Sequence, residues 1–273
     1  MKKSQIIFLI LGIILIGALF SLPTVVVDNS EDDVVMDESG SVISPPSFSE
    51  THETELPASI RERVDNLKAE LEKEEDREKY TILADSIANM YHSSGKLDSA
   101  AYFYALLADR FSDIAHIEKA GNTYYEAYGF AMTPEKTTYL ASKTREYLGE
   151  VLEKDPSRLD VKTKIAMTHV SSSNPMQGIT LLREILEEDP TNESALFNMG
   201  VLSMQSGQYK MAAERFEALV ANHPGNIEGQ FYLGVSYYES NQHNKAKTQL
   251  QSVREMTDDP QILAGIDNYL GRL

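Results

Sequence analysis

The chain has 273 residues, a formal charge of −17 and no Cys. So acidic a surface repels nucleic-acid phosphates. The missing thiols exclude disulfides, thiolate metal sites, a Cys nucleophile and a lipidated N-terminal Cys.

Lys2 and Lys3 precede an apolar run from Ile6 to Leu22, "IIFLILGIILIGALFSL". At about 1.5 Å per residue this run makes roughly 25 Å of helix, near the lower limit of a membrane span. Pro23 stops it. Two lysines ahead of the run favour a cytoplasmic N-terminus. The expectation is a cytoplasmic stub over 1–5 and a single transmembrane anchor over 6–22 in the inner (cytoplasmic) membrane, with the C-terminal domain periplasmic. A cleaved leader is the rival reading. Its best cleavage site follows Ala18 with Ile16 at the −3 place, so a clean A-x-A is missing. The anchor is therefore preferred. A Cys-free chain suits an oxidising compartment.

From Asp28 to Glu55 there are nine acids and no Lys or Arg, with "SPPS" at Ser44 to Ser47. Such a composition cannot bury enough apolar surface to offset its ordering entropy. Residues 28–56 read as an acidic disordered linker. Val34, Val35 and Met36 inside it admit a second reading as a docking motif.

After Pro57, Ile60, Val64, Leu67 and Leu71 recur every three to four positions among dense charges of both signs. That pattern predicts a charged amphipathic helix over 57–80. Downstream there is no strand-like alternation, only helices of modest length between short turns.

Pro156, Pro190 and Pro224 are spaced by 34 residues, in "LEKDP", "LEEDP" and "VANHP". Gly200 and Gly234 keep the same interval, as do Ala212 and Ala246. Gly207 is matched by Asn241, two residue types that tolerate a left-handed turn. A fixed period of this size marks stacked repeats. On these residues the chain resembles the tetratricopeptide repeat family, whose unit is a 34-residue helix-turn-helix. The unit 193–226 matches best, through Leu196, Met199, Gly200, Gly207, Tyr209, Ala212, Phe216, Leu219 and Pro224. Unit 227–260 follows, with Leu233, Gly234, Tyr237, Ala246 and Leu250. Unit 159–192 is degenerate: Gly178 stands where Ala is usual, and Pro175 falls at the interhelix turn. Unit 81–113 fits loosely, and 114–158 carries about eleven extra residues, predicting longer helices or an inserted loop around "FAMTPEK". The resemblance implies an all-α tetratricopeptide-repeat α-solenoid over 81–273, about five helix pairs with a C-terminal capping helix. Ile262, Leu263, Ile266, Tyr269 and Leu270 supply the apolar stripe of that cap. Tyr209 and Phe216 are expected to face the next repeat.

No G-x-x-x-x-G-K loop, no G-x-S-x-G elbow and no H-x-x-x-H pair occurs, and the six histidines are scattered. No cofactor and no enzymatic activity are expected. The resemblance implies a binding groove lined by the first helix of each pair. Its positions fall on Asp160, Thr163, Met167, Val170 and Ser171; on Ser194, Phe197, Val201, Met204 and Gln205; and on Glu228, Phe231, Val235, Tyr238 and Glu239. This is an apolar groove with an acidic rim, suited to apolar protein or peptide segments; the chain's own helix near 60–75 is the alternative occupant. Some relatives grip a chaperone's C-terminal carboxylate with Lys, Arg and Asn along the groove, and those basic residues are missing. The layout is similar to ancillary repeat subunits beside bacterial protein-export translocons. The expected function is a membrane-anchored scaffold or adaptor in a membrane complex. The alternative is an assembly factor presenting substrate to an envelope-polymer or cytochrome-maturation enzyme.

Overall fold

The computed structural model describes residues 56–273 of the chain. The apolar run 6–22 and the linker 28–56, apart from its last residue, lie outside them. Among the described residues no helix is long and apolar enough to cross a membrane.

Helix α1 (Ala58–Leu71) is followed by five antiparallel pairs. These are α2 (Arg77–Ser93) with α3 (Leu97–Phe111), and α4 (Ile114–Gly129) with α5 (Pro134–Lys154). Next come α6 (Leu159–Val170) with α7 (Pro175–Glu188), α8 (Glu193–Gln205) with α9 (Tyr209–Asn222), and α10 (Ile227–Glu239) with α11 (His243–Met256). Helix α12 (Pro260–Leu270) closes the series. No strand is present among the described residues, and each helix packs mainly on its neighbours in sequence.

Local chemistry fixes the ends. Asn192 and Asn226, 34 residues apart, cap α8 and α10 by accepting from the amides of Ala195 (3.0 Å) and Gly229 (2.7 Å). The first two periodic prolines sit in Asx turns. Asp155 accepts from the Ser157 amide at 3.1 Å, and Asp189 from the Thr191 amide at 3.0 Å. His223 takes the equivalent place in the third turn, and its Nε2 meets the Thr191 carbonyl of the preceding turn at 2.7 Å. Gly95, Gly207 and Asn241 hold the left-handed turns of their pairs, at φ 74°, 71° and 64°.

Small residues then set how closely each pair approaches. A Cβ at Gly121 would lie 2.6 Å from Leu148, one at Gly200 2.6 Å from Phe216, and one at Gly234 2.6 Å from Leu250. All three partners are fully buried. Gly200 to Phe216 and Gly234 to Leu250 both span sixteen positions, whereas Gly121 to Leu148 spans twenty-seven. The eleven extra residues therefore lie between the contact points. They mainly lengthen α4 and α5 to 16 and 21 residues, against 13 and 14 in α8 and α9. Of the two outcomes expected for "FAMTPEK", longer helices are the one found. Thr133 and Pro134 open α5 as cap and first residue, and Phe130 and Met132 are left exposed at the displaced turn. The added first turn of α5 brings Lys136 2.9 Å from Asp98 of α3, with both side chains about nine-tenths buried. Gly178 is tighter still. A Cβ there would lie 2.3 Å from the Ala166 carbonyl, so Gly rather than Ala is required where α7 crosses α6. Pro175, one residue beyond the turn, is the first residue of α7.

The first helix is shorter than the pattern 57–80 suggests. It ends at Leu71, and Asp76 starts α2 by accepting from the Lys79 amide at 3.0 Å. Val64 and Leu71 of α1 are buried, and the Lys68 ammonium lies 5.4 Å from the Tyr91 ring centroid and 5.5 Å from that of Phe103. At the other end, Ile266 of α12 is buried with Leu250 and Val253 of α11, and Arg254 pairs with Asp267. Phe216 is partly as expected: it stacks on Tyr232 of the next repeat at 5.8 Å, but its ring also fills the space over Gly200 within its own pair.

Gly200→Ala is expected to destabilise the chain by about 1–3 kcal/mol, because the buried Phe216 ring has no room to yield. Equilibrium urea unfolding measures this, and Gly225→Ala, where a Cβ meets open space, is the control.

Candidate protein-binding surface

The first helices of the pairs present two chemically different stretches. Over α2, α4 and α6 the surface is polar and cross-linked. Asp85 accepts from Lys119 at 2.8 Å, and Glu126 pairs with His92 at 2.9 Å. Lys164 donates to Asn122 at 2.6 Å. Arg158, preceding α6, grips Glu118 with both Nη atoms at 3.1 and 2.6 Å and Asp160 through Nε and Nη2 at 2.9 Å each. These hydrogen bonds from Arg158 hold the Glu118 and Asp160 carboxyls below the usual carboxylate range. Beside them is an open depression of about 380 Å³, lined by Glu118, Lys119, Asn122 and Glu126 among others. The charges of this stretch serve one another, joining successive pairs.

Over α8 and α10 the surface turns apolar. Phe197 lies edge-on to Phe216 at 6.1 Å and to Tyr232 at 5.9 Å. Val201 and Met204 pack half-buried on the same cluster, and Gln205 is exposed at the helix end. These four residues are brought together on one helix.

The remaining expected groove positions behave otherwise. Thr163 is buried, and its hydroxyl proton is already donated to the Leu159 carbonyl at 2.8 Å. Met167 is half-buried against the cluster shared by α6, α7 and α8, and its carbonyl accepts from the Tyr128 hydroxyl at 3.3 Å. Val170 turns toward α7, where its Cγ2 lies 2.7 Å from the point a Cβ on Gly178 would occupy. Val235 is buried. Phe231 and Tyr238 are covered by the chain's own α12, with Tyr269 at 6.4 and 5.1 Å. A Cβ on Gly265 would lie 2.8 Å from the Phe231 ring, so Gly265 is what admits it. Glu239 borders a separate depression near Tyr209. The self-covering segment is thus the last helix, while the helix near 60–75 packs on α2. The reason is geometric: a terminal repeat has an apolar flank and no neighbour, so the cap settles on it.

Two features escape a reading of unit 193–226 alone. Counting the same groove places from Gly121 in unit 114–158 gives Ala115, Glu118, Asn122, Tyr125 and Glu126, which announces the polar stretch. Tyr232 falls between groove places and becomes visible only through its stacking on Phe216. Among the described residues no group of three or more His, Asp or Glu is placed to hold a metal ion.

Residues 203–266 match the family model described as tetratricopeptide repeat. No curated protein matches the chain. Among solved structures, a tetratricopeptide repeat protein from Parabacteroides merdae is 16% identical, with 78% of each chain covered and a TM-score of 0.55. MamA from Desulfovibrio magneticus is 14% identical over 64% of this chain and 93% of its own, at a TM-score of 0.49. YrrB, described as a tetratricopeptide repeat protein with an unusual peptide-binding site, is 18% identical over 75% of this chain and 95% of its own, at 0.44.

The Arg158 clamp gives a pH prediction. Glu118 and Asp160 have lowered carboxyl pKa values in the folded chain, so their contribution is present above about pH 4 and lost as pH falls through the folded values. Arg158→Leu should cost about 1 kcal/mol at pH 7, a modest amount because the pair faces solvent. The difference from the parent chain should shrink as pH falls below about 4 and vanish once both folded carboxyls are protonated. Unfolding titrations at a series of pH values measure it.

In fold, and in sequence over residues 203–266, the chain is similar to tetratricopeptide repeat proteins.

Proposed function

We propose that the chain is a non-enzymatic scaffold that binds protein or peptide segments along α8. One observation carries this reading: Phe197, Val201 and Met204 form a half-buried apolar strip ending in the exposed Gln205, between a polar stretch on α4–α6 and the part of α10 covered by α12. Met and aromatic side chains adapt to varied apolar surfaces. The helix pairs are also held by packing and by paired charges, which leaves this strip as the natural contact.

In the same proposal, Ile6 to Leu22 anchors the chain in the inner membrane, with the N-terminus in the cytoplasm and the helical domain in the periplasm. Support comes from the lysines before the apolar run, the acidic stretch after it and the absence of Cys. Tethering raises the concentration of the binding strip near a membrane-bound target. An accessory role in a membrane complex, of the protein-export or envelope-assembly kind, follows from that layout as analogy.

The test is site-specific photo-crosslinking from Met204 and Gln205 in intact membranes, with a topology reporter fused after Leu273. A discrete protein adduct from both positions and a reporter active only in its periplasmic form are expected. No adduct from either position would contradict the scaffold reading. Activity only in the cytoplasmic form would contradict the topology.

A further inference from the structure

A second surface lies on the other helices of the pairs. Helices α7, α8 and α9 border a crevice of about 80 Å³ in which Arg183 of α7 and Arg215 of α9 are brought together. Ile179, Leu202 and Met211 supply apolar wall. Arg215 is set in place from behind: its Nη1 donates to the Met199 carbonyl at 2.9 Å and to the Ser203 hydroxyl. That hydroxyl is in turn fixed by donating to the same carbonyl at 2.8 Å. The Nε and Nη2 donors of Arg215 have no partner among the described residues, and Arg183 makes no hydrogen bond or ion pair among them. Glu214 lines the neighbouring depression and forms an ion pair with neither arginine. Burial, and then the charge of Arg183, lower the proton affinity of Arg215, and the nearby Glu214 carboxylate offsets part of that.

The chain as a whole is strongly acidic, yet here two guanidiniums share a partly desolvated crevice with no carboxylate. A guanidinium fork matches a carboxylate in shape as well as in charge. The volume is well below the roughly 300–1,000 Å³ of small-molecule sites, so it suits the end of one side chain. Met211, 43% exposed, and Gln208 also line the neighbouring depression of about 490 Å³, which contains Tyr209 and Lys210. An extended polypeptide can therefore leave a carboxylate in the crevice and lay its next residues across Met211 and Tyr209.

We propose that Arg183 and Arg215 form an anchor for an acidic peptide segment of a partner protein, in which an Asp or Glu is followed by an apolar residue. The site takes no residue from the α8 strip, so either surface can fail a test without the other.

The experiment uses the full chain and a fluorescein-labelled peptide of three Asp-Glu-Leu repeats, read by fluorescence anisotropy. Binding should weaken as salt rises. Arg183→Glu should weaken it by about tenfold or more, since a charge-assisted pair becomes a like-charge contact. Arg183 is exposed and unpaired, so the fold is expected to survive, with an unchanged thermal midpoint as the check. Arg215→Lys keeps a donor to Met199 and loses the fork, and should weaken binding by several-fold. An Asn-Gln-Leu peptide should not bind. No binding of the acidic peptide, equal binding of the neutral one, or unchanged affinity in Arg183→Glu would overturn the proposal. Equal competition by free glutamate would replace the peptide with a small anion. Self-association abolished by Arg183→Glu would make a second copy of this chain the occupant.

Discussion

The structure depends on a repeated close approach in which a glycine of one helix is pressed against a large buried side chain of its partner. Gly121 meets Leu148, Gly200 meets Phe216 and Gly234 meets Leu250, each so closely that a Cβ could enter only if the buried side chain moved. Protein interiors resist such overlap steeply, so these points fix the register of each pair. The rest is arranged around them. Asn192 and Asn226 start the next helix a set distance on. When eleven residues are added between Gly121 and Leu148, the seam holds and the turn moves outward instead.

The seams also sort residues by role. A side chain near a seam is spent on packing, whatever place it holds in the repeat. Val170 faces Gly178 for this reason, and Val235 is buried. What remains for binding lies where neither a seam, a charge ladder nor a cap has taken the surface. On the first helices that is the strip from Phe197 to Gln205, and on the second helices it is the crevice between Arg183 and Arg215. The first is apolar and the second cationic, so they select different features of a bound polypeptide.

Much of the fold is legible in the sequence because the constraints are local or strictly periodic. Proline spacing, the turn residues Gly207 and Asn241, and the stripe Ile262 to Leu270 each act through nearby backbone or through one helix face. The candidate site is less legible. A groove place counted along a repeat says which helix face a residue occupies, not whether a later helix will cover it. Phe231 and Tyr238 hold the same places as Phe197 and Met204, and only the position of α12 separates them. The arginine pair is hidden for a similar reason: Arg183 and Arg215 belong to different repeats, and their missing carboxylate partners appear only in three dimensions. The boundary of α1 was obscured by acidic and basic residues that continue unchanged through Glu72 to Asp76 into α2.

If the seams are the controlling interaction, the pairs behave as a chain of nearest-neighbour units. Amide hydrogen exchange on the full chain carrying Gly234→Val tests this most directly. The account predicts that α10, α11 and α12 lose protection while α2 to α5 keep theirs. Equal loss of protection across all helices, or none in α10 and α11, would contradict it.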